Sequence, residues 1–171
     1  MIRIETSQLG ENGYSVAGEE PSELLDLARD PVARADGPIR YELTVEPAGT
    51  ELVVRGWAEV VLQVRCSRCA QFFSTTARVS SFLHAYESAE NPEFLDVSDD
   101  VREDLLLEIP AFPLCQAGCK GLCARCGQDL NEGACGCVPP EGGPSPWTAL
   151  DGWMATPGSR PPPGGPDRGP K

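Results

Sequence analysis

The stretch "LVVRGWAEVVLQVRCSRC", Leu52 to Cys69, decides the architecture of this chain. From Leu52 to Val64 every even position is apolar or glycine: Leu52, Val54, Gly56, Ala58, Val60, Leu62 and Val64. A period of two over that length specifies one long strand with one buried and one solvent face. Gly56, inside it, marks a bend or bulge. The strand runs into Cys66-Ser67-Arg68-Cys69. "QFFSTTARVSSFLHAY" (71–86) follows, rich in β-branched and aromatic residues, and reads as a returning strand. Cys66 and Cys69 therefore fall at the tip of a hairpin.

Working outward, Ile2 and Ile4 alternate with polar residues and predict a first strand. "PSELLDLARD" (21–30) predicts a short helix capped by Ser22, and "PIRYELTV" (38–45) a strand with Ile39, Tyr41, Leu43 and Val45 on one face. Beyond the hairpin, "NPEFLDV" (91–97) is a loop with a short extended piece. "SDDVREDLLLEIP" (98–110) predicts a helix with Ser98 as N-cap and Asp99 and Asp100 favouring the N-terminal dipole. Val101, Leu105 and Ile109 form its apolar face, and Pro110 stops it. "SPWTALDGWM" (145–154) predicts a short helix with Trp147, Leu150 and Met154 on one side. No internal repeat is visible beyond the cysteine pairs themselves. The fold class is α+β: a mostly antiparallel β-sheet, one or two packed helices and a cysteine-rich zinc-knuckle module. The expected divisions are a sheet domain over 1–110, a metal-binding module over 111–138, a hinge and short helix over 139–154, and a disordered Pro/Gly-rich tail over 155–171.

The 171 residues carry a net charge of −12 and include eight cysteines but a single histidine. An acidic chain is repelled by bulk phosphate backbone, so nucleic-acid contact needs a local basic patch or a partner. "MIRIETSQLG" lacks a basic region followed by an apolar run, so no secretory signal is expected. No stretch approaches the roughly 20 apolar residues of a membrane span. A reducing cytoplasm is the expected location, and there clustered cysteines point to metal or redox chemistry before disulfides.

The cysteines form four pairs: Cys66/Cys69, Cys115/Cys119, Cys123/Cys126 and Cys135/Cys137. Zinc takes four soft ligands at tetrahedral corners, and a two-residue spacer places two thiolates on one side of a metal. Eight cysteines thus make two four-cysteine sites, with two Zn²⁺ expected as cofactors. Chain proximity favours Cys123, Cys126, Cys135 and Cys137 as one site. Cys115 and Cys119 then join the hairpin tip, Cys66 and Cys69, as the other. The competing assignment gathers the six late cysteines around one metal or a loose cluster and leaves the hairpin pair free. A filled four-thiolate zinc site carries a net double negative charge, which Arg65, Arg68, Lys120 and Arg125 beside the cysteines can screen. The same residues can otherwise form a cationic docking surface. A redox dithiol at "CSRC" and an iron–sulfur cluster are further readings of the thiols.

Enzyme signatures are absent. His84 lies in the returning strand and reads as a packed or surface residue, and there is no phosphate-binding glycine pattern. Four-cysteine closure leaves no open coordination position, which points to structural rather than catalytic metal, and no catalytic residue is expected.

"VRCSRCAQFF" (64–73), "LDV" (95–97), "EDLLLEIPAFPLCQAGCKGLCARCGQDLNEGACGC" (103–137) and "SPWTAL" (145–150) resemble the YceD family in order and spacing. This is a bacterial and plastid family linked to accumulation of large-subunit ribosomal RNA. The resemblance implies a non-enzymatic factor promoting 23S rRNA accumulation and large-subunit biogenesis in the bacterial cytoplasm. Its implied partner is the large-subunit precursor, met through protein or rRNA, with no membrane and no small-molecule substrate. A thiol–disulfide redox protein and a direct RNA-binding zinc module are the alternatives. The family's acidic region before the helix is short here, and the segment after Met154 is an addition.

Overall fold

The computed structural model describes residues 1–10, 13–87, 93–138 and 147. The chain forms two compact units, Met1–Cys135 and Gly136–Lys171. Of the second, only residues 136–138 and Trp147 are described, and Trp147 is exposed. The expected hinge over 139–146, Leu150 and Met154 of the expected short helix, and the expected tail over 155–171 lie outside the described residues. Among the described residues, no helix is long and apolar enough to cross a membrane.

In chain order the strands are β1 (Arg3–Glu5), β2 (Tyr14–Glu20), β3 (Ala33–Ala35), β4 (Ile39–Ala48), β5 (Glu51–Arg65), β6 (Phe72–Glu87) and β7 (Phe94–Asp96), and then comes the helix α1 (Ser98–Leu107). All pairings are antiparallel. β5 is the spine. β6 takes one of its edges along the whole length, from Glu51↔Glu87 to Arg65↔Phe72. The other edge is shared end to end by β4, opposite Glu51–Glu59, and by β3, opposite Leu62–Val64. β2 extends the sheet beyond β4, and β1 pairs with β7 in a separate small sheet.

The period-two pattern of β5 is realised as read. Leu52, Val54, Ala58, Val60, Leu62 and Val64 are all buried. Each fully buried Val or Leu contributes about 1.5–3 kcal/mol of transfer free energy, so this single row anchors the core. Val101 and Leu105, one helical turn apart on α1, close over it with Ile2, Ile4 and Val97.

At Gly56, β5 leaves no room for a side chain beside β4. A Cβ there would lie 2.0 Å from the Glu42 carbonyl oxygen. Immediately beyond it the register with β6 slips: Gly56 faces Phe82, but Ala58 faces Val79. The extra residue is on β6, and it inverts that strand's alternation. Before the bulge the odd positions Ala77 and Val79 are buried; after it the even position Phe82 is. His84 and Tyr86 consequently share the face of Phe82 and meet α1. His84 Nε2 lies 3.1 Å from Asp104 Oδ2, and the Tyr86 hydroxyl donates to Asp100 Oδ2. Asp100 and Asp104 are four apart and share a helix face. Burial, and next the Asp100 hydrogen bond, raise the Tyr86 pKa, so the phenol stays protonated.

Three local readings need correction. Ser98 does not cap α1. It is the first helical residue, and its buried Oγ accepts the Ile2 N–H at 2.7 Å, tying the chain start to the helix. Asp96 Oδ1 instead accepts the Ser98 N–H at 3.0 Å. The helix expected over 21–30 is a single 3₁₀ turn, Ser22–Leu25, ended by Asp26 in a left-handed conformation at φ 53°. Strands β2 and β3 are additions that the sequence reading omitted.

Gly56→Ala should destabilise the fold by about 3 kcal/mol or more, because the methyl collides with backbone that cannot swing aside. Urea unfolding of the full chain measures this. A loss below about 1 kcal/mol would mean that β4 and β5 do not approach so closely.

Candidate metal centre

The hairpin tip between β5 and β6 is a tight knuckle. The Cys66 N–H donates to the Gln71 carbonyl at 2.8 Å, and the Ala70 N–H to the Cys66 carbonyl at 2.9 Å. The Arg68 N–H points at Cys66 Sγ, 3.5 Å away. After α1, Pro110 ends the helical run and the chain returns to this tip. The Ser67 N–H donates to Pro113 O at 2.8 Å, the Leu122 N–H to Arg68 O at 3.1 Å, and Arg68 Nη1 to Cys119 O at 3.0 Å. Gly121 permits the approach: it has φ +76°, and a Cβ there would meet the Arg68 carbonyl oxygen at 3.0 Å.

This docking brings Cys66, Cys69, Cys115 and Cys119 together, with all four sulfurs within 4.8 Å of one another. Cys66 Sγ is 3.8 Å from Cys119 Sγ, and Cys69 Sγ is 3.7 Å from Cys115 Sγ. A disulfide needs about 2.05 Å. The edge of a sulfur tetrahedron around zinc, with Zn–S of about 2.3 Å, is about 3.8 Å. The donor set therefore fits a tetrahedral thiophilic cation. Cys66, Cys69 and Cys119 are buried and Cys115 is half-buried. The sulfurs of Cys123, Cys126, Cys135 and Cys137 also lie within 4.8 Å of one another, and here Cys126 is exposed. Both groups of four could hold a metal ion.

The electrostatics of the first group are in conflict without a cation. The Cys115 and Cys69 backbone N–H groups lower the Cys66 thiol to about 6. Burial, and then the sulfur of Cys119, push Cys115 up to about 12. In the second group the Cys126 N–H and then the Arg125 N–H lower Cys123 to about 6. Four packed thiols cannot all ionise beside one another, whereas a coordinating metal deprotonates them outright.

The sequence profile described as Large ribosomal RNA subunit accumulation protein YceD matches residues 54–152. This chain belongs to the YceD family. It is 40% identical over 43 residues to the Large ribosomal RNA subunit accumulation protein YCED homolog 1, chloroplastic, of Arabidopsis thaliana, covering 25% of this chain and 13% of that protein. It is 25% identical over 107 residues to an uncharacterized protein of Mycobacterium leprae, covering 54% and 49%. The chain thus spans half or less of the length of these relatives. No solved structure matches. The YceD match contains β5 from Val54 onward, β6, α1 and all eight cysteines.

One feature of this YceD-family chain escaped the sequence reading. The second CxxC is a copy of the first. The Cys123 N–H donates to Gln128 O at 2.8 Å, the Gly127 N–H to Cys123 O at 2.9 Å, and the Arg125 N–H to Cys123 Sγ at 3.4 Å. Aligned, Cys66–Gln71 and Cys123–Gln128 both read Cys-x-Arg-Cys-small-Gln. The small residue turns the chain through the left-handed region, Ala70 at φ 59° and Gly127 at φ 74°. Arg65 and Arg68 serve the first knuckle directly, through the carbonyls of Ala70 and Cys119.

Two predictions follow from the paired knuckles. Ala in a left-handed conformation costs about 1 kcal/mol relative to Gly. Ala70→Gly should therefore raise the melting temperature and Gly127→Ala lower local stability; a fall for Ala70→Gly would contradict the knuckle geometry. Cys69→Ser should accelerate amide exchange along the β5–β6 hairpin far more than Cys126→Ser, which leaves the sheet folded. Structural zinc supplies on the order of 10 kcal/mol, comparable to a small domain's whole stability. Equal effects of Cys69→Ser and Cys126→Ser on the hairpin would break the link between the first group and the sheet.

Proposed function

We propose that this YceD-family chain is a non-enzymatic, zinc-stabilised adaptor that promotes 23S rRNA accumulation and large-subunit biogenesis in the bacterial cytoplasm, meeting the subunit precursor through protein or rRNA. The observation that carries the reading is the pair of four-thiol groups on matched knuckles, within the span shared with a family of that description. Four sulfurs complete a tetrahedron and leave no position for water or substrate, as in structural sites. Zinc, when bound, supplies a crosslink without redox chemistry. The chain's own residues do the rest. Cys66, Cys69, Cys115 and Cys119 tie the segment after α1 to the hairpin tip, while Cys123, Cys126, Cys135 and Cys137 hold a second knuckle. Arg68 and Gly121 set the docking between them.

Cells lacking the native copy provide the test. The intact chain should restore the ratio of large- to small-subunit rRNA, and the double variant Cys69→Ser/Cys115→Ser should not. An unchanged ratio in cells without the chain would overturn the function. Full restoration by the double variant, with its zinc shown to be lost, would overturn the zinc-stabilised adaptor.

A further inference from the structure

A side chain from the second group's span reaches a sulfur of the first. Asn131 lies on the loop between Cys126 and Cys135, inside the second group's own span. Its amide reaches the first group. Nδ2 donates to Cys119 Sγ at 3.5 Å, and Oδ1 accepts the Lys120 N–H at 2.8 Å. The amide is held from behind by Asp129 Oδ1, which accepts the Asn131 N–H at 2.8 Å and the Nδ2–H at 2.7 Å. Both Nδ2 protons are thereby used, one on a carboxylate and one on sulfur, so the orientation of the group is fixed. Backbone links run alongside: Leu122 bridges Asp129, and the Leu130 N–H donates to Gly121 O at 2.9 Å. A loop clamped at both ends by cysteines of one group thus delivers a hydrogen-bond donor to a sulfur of the other.

We propose that Asn131 is a positioning residue that couples the two centres, so that metal in the second slows release of metal from the first. The proposal rests on the reading that both groups bind metal. A donor to a coordinating sulfur stabilises its negative charge, and removing such a partner typically costs 10–100-fold in metal affinity. Emptying the second centre frees the 127–134 loop, and the donor to Cys119 goes with it. By linkage, metal in the first centre strengthens binding at the second by the same factor. The burial of the two groups sets the order of release. Cys66, Cys69 and Cys119 are only 2–3% exposed, whereas Cys126 is open to solvent. A competing chelator meets the second centre first, and its success there loosens the first.

Zinc release from the full chain tests this. Zinc content is measured, an excess of a chromophoric chelator is added, and the two release phases are timed. The slow phase should quicken about 10-fold in Asn131→Ala. It should quicken similarly in Cys123→Ser/Cys126→Ser, which empties the second centre, and adding Asn131→Ala to that pair should change little further. Asn131→Asp keeps the acceptor for Lys120 and loses the donor to sulfur, so it should behave as the alanine variant. With cobalt in place of zinc, both Asn131 variants should shift the sulfur-to-cobalt charge-transfer band of the first centre, which a mere loop-packing role would leave in place. Should Asn131→Ala fail to fold, Asp129→Ala, which frees the amide without removing it, must quicken the slow phase. An unaltered slow phase in the folded Asn131 variants overturns the coupling, as does a full additional acceleration from Asn131→Ala after the second centre is emptied. Wild-type chain that binds no metal overturns the underlying reading, whereas two metals leaving independently overturn the coupling alone.

Discussion

Four sulfurs at the end of the β5–β6 hairpin are what the region beyond α1 depends on. Cys66 and Cys119 are separated by 53 residues, Cys69 and Cys115 by 46, yet each pair of sulfurs lies within 3.8 Å. The segment that must return to the tip contains no strand of the main sheet and buries little apolar surface. Leu107, Phe112, Leu114 and Leu122 on or near it are all exposed. Its hold on the sheet therefore comes from backbone hydrogen bonds around Ser67, Arg68 and Gly121 and from the sulfur cluster. Hydrogen bonds of this kind contribute about 1 kcal/mol each, far less than a filled zinc site.

The hairpin that presents this tip is rigid for ordinary reasons. Its inner row of side chains is buried, and β4 and β3 brace the far edge of β5 over most of its length. The bulge after Gly56 lets β6 serve two purposes with one strand. Toward the tip its odd residues fill the core, and toward the other end its even residues present His84 and Tyr86 to Asp104 and Asp100 of α1. The helix thereby starts at the end of the sheet away from the knuckle and runs toward its middle, where Leu107 and Glu108 lie beside Val79, Ser80 and Ser81, and the chain leaving it reaches Cys66 and Cys69.

Much of this was legible because the strongest signals are periodic or chemical. The thirteen-residue alternation from Leu52 to Val64 named β5, and a pair of cysteines directly after it named the tip. What escaped was set by tertiary partners. β3 is three residues long and exists because β5 extends past the end of β4. The β6 bulge is hidden in "RVSSFL", where two serines carry no sign of which faces the core. Ser98 has the composition of an N-cap, but a buried Ile2 N–H competes for its hydroxyl and wins. The repeat between Cys66–Gln71 and Cys123–Gln128 was visible in the letters and becomes informative only once both turns show the same hydrogen bonds. Asn131, in a loop that reads as generic turn, had no signal at all.

Zinc-edge X-ray absorption on full-length chain, purified natively and quantified for metal, tests the central claim most directly. Two filled four-thiolate centres predict about two zinc per chain, each surrounded by four sulfurs at about 2.3 Å with no nitrogen or oxygen neighbour. A folded chain with all thiols reduced and no bound metal would contradict the account, as would zinc coordinated in part by water.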